Sequence, residues 1–248
     1  MYLRVAVASG WVDGAQPAQF DLSVALLSRS FSAPPVQVIS LDMGLTRHLV
    51  IFTRWPRFGT GKSRLATGVG PVVALRFQRV MLQKLLLRLS HDPRWATWLA
   101  VTPDRSGPWP RHVGILPQGN GDLGQRMSRV VARLSPGPVV IVGTDTPELR
   151  ADHVARAFTA LGKYDAVIGP ATDGGYWLVG LRRRPRVIDP FFAVRWSTDN
   201  ACADTLANLA CHSVVLLDRL DDIDDAESLA RSPDWSLYHA PRRGSASH

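Results

Sequence analysis

The residues Pro138-Val139-Val140-Ile141-Val142 form an apolar run with no polar member. Such a run has no face to offer water, so it reads as a strand covered on both sides. It stops at Gly143-Thr144-Asp145-Thr146-Pro147, and a helix is predicted from about Ala151, with Asp152 in the first turn where the helix dipole favours an acid. This unit of buried strand, turn and helix recurs along the chain. Leu49-Val50-Ile51-Phe52 reads as the first strand, and a loop rich in Gly and Pro follows it. Pro71 to Ser90 carries Phe77, Val80, Met81 and Leu85 at helical spacing. Strands are predicted at Trp98–Val101 and Val113–Leu116, and a helix from about Asp122 to Leu134. Ala166–Ile168 and Tyr176–Val179 read as strands around the turn Asp173-Gly174-Gly175, followed by a helix from Thr198 to about Ala210 and a strand from Ser213 to Leu217. Strands alternating with helices predict an α/β protein with a mainly parallel sheet covered on both faces, and ligands at the carboxyl ends of the strands.

The 248 residues suffice for one large domain with a real core. Ordered alternation begins only at Arg47, so residues 1–42 are read as an extension, disordered or upstream of a start at Met43. The transferase-like domain is placed at 43–232 and a tail at 233–248. No apolar run approaches the roughly 18 residues that a membrane span needs, and glycines and Asp13 break the apolar start before a secretion signal forms. The expected compartment is the cytoplasm. Cys202 and Cys211 lack the companions of a zinc or disulfide framework and are expected to be buried free thiols. The net charge of +8 favours anionic partners. Its basic residues are dispersed without interleaved aromatics, which argues against nucleic acid and leaves small phosphorylated ligands.

Several groups fall at predicted strand ends. Between Thr53 and Leu65 lies a basic loop, TRWPRFGTGKSRL, in which Gly59 and Gly61 allow close approach of the backbone to an oxyanion. Arg54, Lys62 and Arg64 supply charge there, and Ser63 a hydroxyl. The spacing is not that of a Walker A loop. Asp145, at the end of the most apolar strand, is the expected ligand for Mg²⁺ or Mn²⁺, which take one or two carboxylates together with phosphate oxygens. A helix or turn cap would use the same residue type. Asp173 before paired glycines suits either an acceptor-binding acid or an ordinary tight turn. Among Asp221 to Glu227, Asp224 is a second candidate metal ligand, although Asp224 and Glu227 also match an N-cap and its third helical residue. The segment QGNGDLGQR, with Asp122 at a helix start, offers a second ligand loop. No Ser-His-Asp order, H-E-x-x-H or G-x-S-x-G occurs.

Taken in order, the segment Leu49–Leu65, GDLGQRM, GTDTP, DGGYWLVGL, Trp196-Ser197-Thr198 and DDIDDAESL resemble a bacterial family of glycosyltransferase-A-like proteins (DUF2064-type) over roughly residues 47–230. Its members are often labelled glycosyltransferases linked to arsenosugar biosynthesis. They are related to phospholactate guanylyltransferases, whose phosphate loop resembles Lys62-Ser63-Arg64-Leu65-Ala66. The resemblance implies a three-layer α/β/α, Rossmann-like nucleotide-diphospho-sugar transferase (GT-A) fold. It places Asp145 as the metal-binding aspartate and Lys62 and Arg64 as phosphate ligands. Family loops commonly carry Lys at Arg54, Val at Gly61 and Thr at Ser63, changes that keep charge and hydroxyl. The last motif departs further, with Asp225-Ala226-Glu227-Ser228 where the family has Thr-Pro-Glu-Asp.

Three readings follow. The first is nucleotidyl transfer from a nucleoside triphosphate to a phosphorylated small molecule, with the metal on Asp145 and Asp224, and Lys62 and Arg64 stabilising charge on the α-phosphate. The second is sugar transfer from a nucleotide-diphospho-sugar, with Asp173 assisting the acceptor hydroxyl. The third is a non-catalytic binding module on the same fold.

Overall fold

The computed structural model describes residues 45–104 and 107–232, so the expectations for residues 1–42 and for the tail 233–248 lie outside the described residues. The described residues fall within one compact unit. In chain order the elements are β1 (His48–Arg54), α1 (Ser63–Val69), α2 (Pro71–Leu89), β2 (Ala96–Thr102), β3 (Gly114–Pro117), α3 (Leu123–Arg133) and β4 (Val139–Val142). They continue with α4 (Ala151–Ala160), β5 (Ala166–Pro170), β6 (Tyr176–Leu181), α5 (Ala201–Asn208), β7 (Val214–Leu216) and α6 (Ala226–Arg231).

The strands form one seven-stranded sheet in the order β3-β2-β1-β4-β6-β5-β7. β1 pairs in parallel with β2 and β4, β2 with β3, and β5 with β7. β6 runs antiparallel to both β4 and β5. The short turn between Pro170 and Tyr176 explains the reversal, since a parallel return needs a crossover of roughly a dozen residues or more. The amino end of β6 therefore arrives at the same sheet edge as the carboxyl ends of β1 and β4.

Alternate strand residues feed two cores. Leu49, Ile51, Leu99, Val140 and Val142 pack with Leu85, Leu89 and Phe158 on one face. Val50, Ala100, Ile141 and Ile168 pack with Met127, Val130 and Leu209 on the other. A third, smaller cluster of Leu65, Ala74, Phe77, Met81, Ile223 and Leu229 joins α1, α2 and α6 without any strand residue.

Four details differ from expectation. The glycine-rich loop ends earlier, because Ser63–Val69 is helical. The helix expected from Thr198 begins at Ala201, since Thr198 is held in a turn by its hydroxyl bond to the Arg195 carbonyl at 2.7 Å. Asp225, not Asp224, caps α6, accepting the Ser228 N–H at 2.8 Å. Both cysteines are free, yet neither is buried: Cys202 is half-buried and Cys211 exposed. No helix among the described residues is long and apolar enough to cross a membrane.

Candidate functional site

Lys62 is the N-cap of α1 and sits in the left-handed region, with φ 48° and ψ 44°. A non-glycine residue there is strained, and it persists only where its surroundings hold it. The side chain is 8% exposed. Its ammonium lies 2.9 Å from Asp145 Oδ2 and 3.2 Å from Asp224 Oδ1, and it donates to the Ile223 carbonyl. Three neighbours match the three donors of an ammonium group. Burial opposes the charge on Lys62, but Asp145 and Asp224 outweigh it and raise the pKa.

The loop that carries Asp224 is fixed from both sides. Ile223 is 3% exposed within the small third core, and its N–H donates to the Asp145 carbonyl at 2.9 Å. Asp222 and Asp224 therefore flank a buried anchor. Arg64 reaches Asp224 from outside at 3.2 Å, with 73% of its side chain exposed. Asp222 is pushed up to about 6, first by burial and then by Asp173, with Lys62 opposing and Asp145 adding. The region holds more carboxylate than cation, and a further positive charge there would relieve it.

These groups border a cavity of about 400 Å³ at the carboxyl ends of β1 and β4. Arg54, Gly61, Lys62, Asp145 and Asp224 line it. Apolar surface from Phe52, Leu123, Met127 and Val179 forms another part of the wall, giving the mix of apolar wall and few polar groups usual for small-molecule sites. Other expected site residues lie elsewhere. Gly59 and Ser63 line a separate groove of about 320 Å³ beside α1 and α2, which Gly61 also borders. The Asp122 side chain caps α3, accepting the Gln125 N–H at 2.8 Å. Asp173 is exposed and folds back on its own turn, accepting the Gly175 N–H at 2.8 Å.

Among the described residues no three His, Cys, Asp or Glu side chains gather as a self-sufficient metal site. Asp145 and Asp224, with 40% and 44% of their side chains exposed, nevertheless fit a hard cation that takes two carboxylates and completes its shell with water and phosphate.

Sequence reasoning offered Gln118 and Arg126 only as the two ends of the ligand loop QGNGDLGQR and gave neither a role of its own. Gln118 is 1% exposed and donates to the Thr53 and Ala100 carbonyls at 3.0 and 2.8 Å, while its oxygen accepts from Arg126 Nη1 at 3.0 Å. Both line the cavity. The signal was present in the spacing, because Arg126 stands four residues after the helix cap Asp122 and so lies one turn further along α3.

Sheet order, the covered faces and a cavity at the strand ends define the class: this is the α/β fold of the nucleotide-diphospho-sugar transferases. The model of a family described as an uncharacterized protein conserved in bacteria (DUF2064) matches residues 80–198. The family resemblance carried by the ordered motifs is thereby shown, through a match that includes GDLGQRM, GTDTP and DGGYWLVGL. A crystal structure from Desulfovibrio desulfuricans G20, provisionally named a nucleotide-diphospho-sugar transferase, matches with a TM-score of 0.68 and 27% identity, covering 80% of this chain and 89% of that one. A 4-diphosphocytidyl-2C-methyl-D-erythritol synthase from Anaerococcus prevotii matches at TM-score 0.47 and 9% identity, over 78% and 99% of the two chains. The inositol-1-phosphate CTP transferase of T. maritima matches at 0.45 and 12%, over 82% and 99%. Comparison with curated proteins returned no match.

Proposed function

We propose that this protein is a divalent-metal-dependent transferase that uses a nucleotide, and that it moves a nucleotidyl group from a nucleoside triphosphate to an anionic small-molecule acceptor. The observation that carries the reading is the placement of Lys62 between Asp145 and Asp224 on the wall of the strand-end cavity. Mg²⁺ or Mn²⁺ held by Asp145 and Asp224 would supply charge neutralisation for phosphate oxygens. Lys62 holds both carboxylates in register across the cavity wall. Arg64, whose side chain is tethered among the described residues only through Asp224, has most of its donors left for phosphate. The acceptor oxyanion attacks the α-phosphorus, the bond from that phosphorus to the β-phosphate oxygen breaks, and pyrophosphate leaves. An acceptor already ionised needs no general base, which suits a cavity wall that carries no histidine among the described residues.

The name given to the Desulfovibrio desulfuricans protein favours a second reading, sugar transfer from a nucleotide-diphospho-sugar. That reaction needs a base for the acceptor hydroxyl, and Asp173 lies outside the lining of the cavity, engaged in its own turn. Thermal unfolding against nucleoside triphosphates and nucleotide sugars, with and without Mg²⁺ or Mn²⁺, separates the readings. A ligand at 100 times its Kd stabilises by about 2.7 kcal/mol. Metal-dependent stabilisation by a triphosphate, lost in Asp145→Asn, is expected. A larger shift with a sugar nucleotide selects sugar transfer, and no shift with any ligand returns the protein to a binding module.

A further inference from the structure

The cavity has two electrically opposite walls. On one, Asp145 and Asp224 share the Lys62 ammonium; Asp222 and Asp173, which lie outside the lining, are close enough to act on each other through space. On the other stand Arg54, at the end of β1, and Arg126, in the first turns of α3. No carboxylate side chain among the described residues forms an ion pair with either arginine. Arg126 bonds to the Gln118 oxygen at 3.0 Å and to the Asp122 carbonyl at 3.3 Å, both neutral acceptors, and these leave its Nη2 without a partner among the described residues. Arg54 lies across Gly61, where a Cβ would stand 3.5 Å from Arg54 Cδ.

Two guanidinium groups facing one cavity, with no carboxylate bonded to either among the described residues, is an arrangement that folding alone does not reward. Burial, followed by Arg54, holds the Arg126 pKa below its usual value; Asp122 opposes them in part, and Arg129 adds to the repulsion. Gln118 makes the arrangement rigid. Its amide is buried and bonded to two backbone carbonyls of adjacent strands, so Arg126 is held in one orientation rather than left to swing into solvent. Planar guanidinium forks held this way suit a phosphate or carboxylate group.

We propose that Arg54 and Arg126, with Gln118 as the positioning residue, form an oxyanion seat for the acceptor. This seat is separate from the metal-side wall that takes the nucleotide phosphates. The inference rests on the proposed nucleotide-dependent reaction and deepens it. An acceptor held through its own oxyanion is pinned opposite the α-phosphate, and a neutral sugar hydroxyl would leave both arginines unsatisfied.

Inorganic phosphate serves as the probe, with binding to the full chain measured by calorimetry at constant ionic strength. The wild-type protein, Arg126→Gln and Arg54→Gln would be compared, each with and without a saturating nucleoside triphosphate and Mn²⁺. The Arg54 side chain makes no hydrogen bond among the described residues, so its substitution tests the seat without disturbing the fold. Either variant is expected to weaken phosphate binding by roughly tenfold or more, while the nucleotide affinity of Arg126→Gln stays within about twofold. Phosphate is expected to bind the nucleotide-loaded protein as well as the free one. Competition between phosphate and the triphosphate, or equal loss of both in the variants, overturns the proposal and assigns the arginines to the donor. Phosphate binding indifferent to both substitutions also overturns it. Asp145→Asn separates this test from that of the reaction: it should abolish metal-dependent nucleotide binding and leave phosphate binding intact. If no nucleotide binds the wild-type protein but phosphate still depends on Arg54 and Arg126, the proposed reaction fails and the seat stands.

Discussion

At the scale of single residues, Lys62 carries more of this protein than any other side chain, because it serves α1, the β4 turn and the loop before α6 together. Its substitution by methionine keeps the stem over Phe77, where the ammonium now stands 5.9 Å from the ring centre, and removes only the charge. Asp145 and Asp224 would then face each other with only the exposed Arg64, on Asp224, as a counter-ion. Both keep contact with solvent, so the cost falls below that of a fully buried pair, at about 1–3 kcal/mol. Urea denaturation of Lys62→Met checks this. The sign of its pH dependence follows from the raised pKa: the contribution is complete below the ordinary lysine pKa and is lost only as pH rises through the higher folded value. The difference between wild type and variant should therefore be flat from neutral pH to about 9. Gly174 makes a different kind of demand. Its φ is +85°, and a Cβ would lie 2.1 Å from the Asp199 carbonyl oxygen, a backbone atom that cannot swing away. Gly174→Ala is expected to cost about 2 kcal/mol or more, measured by the same denaturation. A cost below about half that would mean that the turn shifts freely.

At the scale of elements, the segment between β6 and α5 is held by Arg195, whose backbone N–H and guanidinium both donate to Asp204 on α5, at 2.8 to 3.0 Å. These bonds hold the Asp204 carboxyl down at about 2. A depressed carboxylate contributes stability above its unfolded pKa and loses it as pH falls through the folded value. The melting temperature of wild type should therefore exceed that of Asp204→Asn from about pH 4 upward, and the two should converge near pH 2. A constant gap across that range would assign the effect to packing. The sequence could not announce this pair, since its two residues are ordinary surface types. What it did announce were elements with a strong period or a covered face: β1, β4, α2 and α3 lie within a few residues of their expected limits. It missed α1 because Thr60-Gly61-Lys62-Ser63 has the composition of a loop, and the helix is fixed instead by Leu65 packing on Phe77. The position of β6 between β4 and β5 was also unreadable, because a hairpin turn sets direction but not which neighbour the returning strand takes. For the candidate site, strand ends gave the addresses of Lys62 and Asp145. The contact between Lys62 and Asp224 spans 162 residues of sequence, and no local pattern encodes it.

At the scale of the whole molecule, the two cores on the sheet faces share every central strand, whereas the third core joins only α1, α2 and the segment around α6. Opening that third cluster frees Lys62 and Asp224 without breaking a strand pair, so it is the natural unit of local unfolding. Leu229 is fully buried at its centre. Its truncation to alanine removes side-chain contacts worth about 2–5 kcal/mol when a site cannot collapse. Because α6 can undock, the loss should be confined to this unit. Native-state hydrogen exchange of Leu229→Ala is expected to show faster exchange in α1 and α6, with the amides of β1 and β4 unchanged. Adding a nucleoside triphosphate and Mn²⁺ should restore protection there, since the proposed ligand bridges Asp145 on the sheet to Asp224 on the small core. Equal acceleration of the β4 amides would show instead that the loop carrying Lys62 and the sheet open together, and the site would then be as rigid as the fold that carries it.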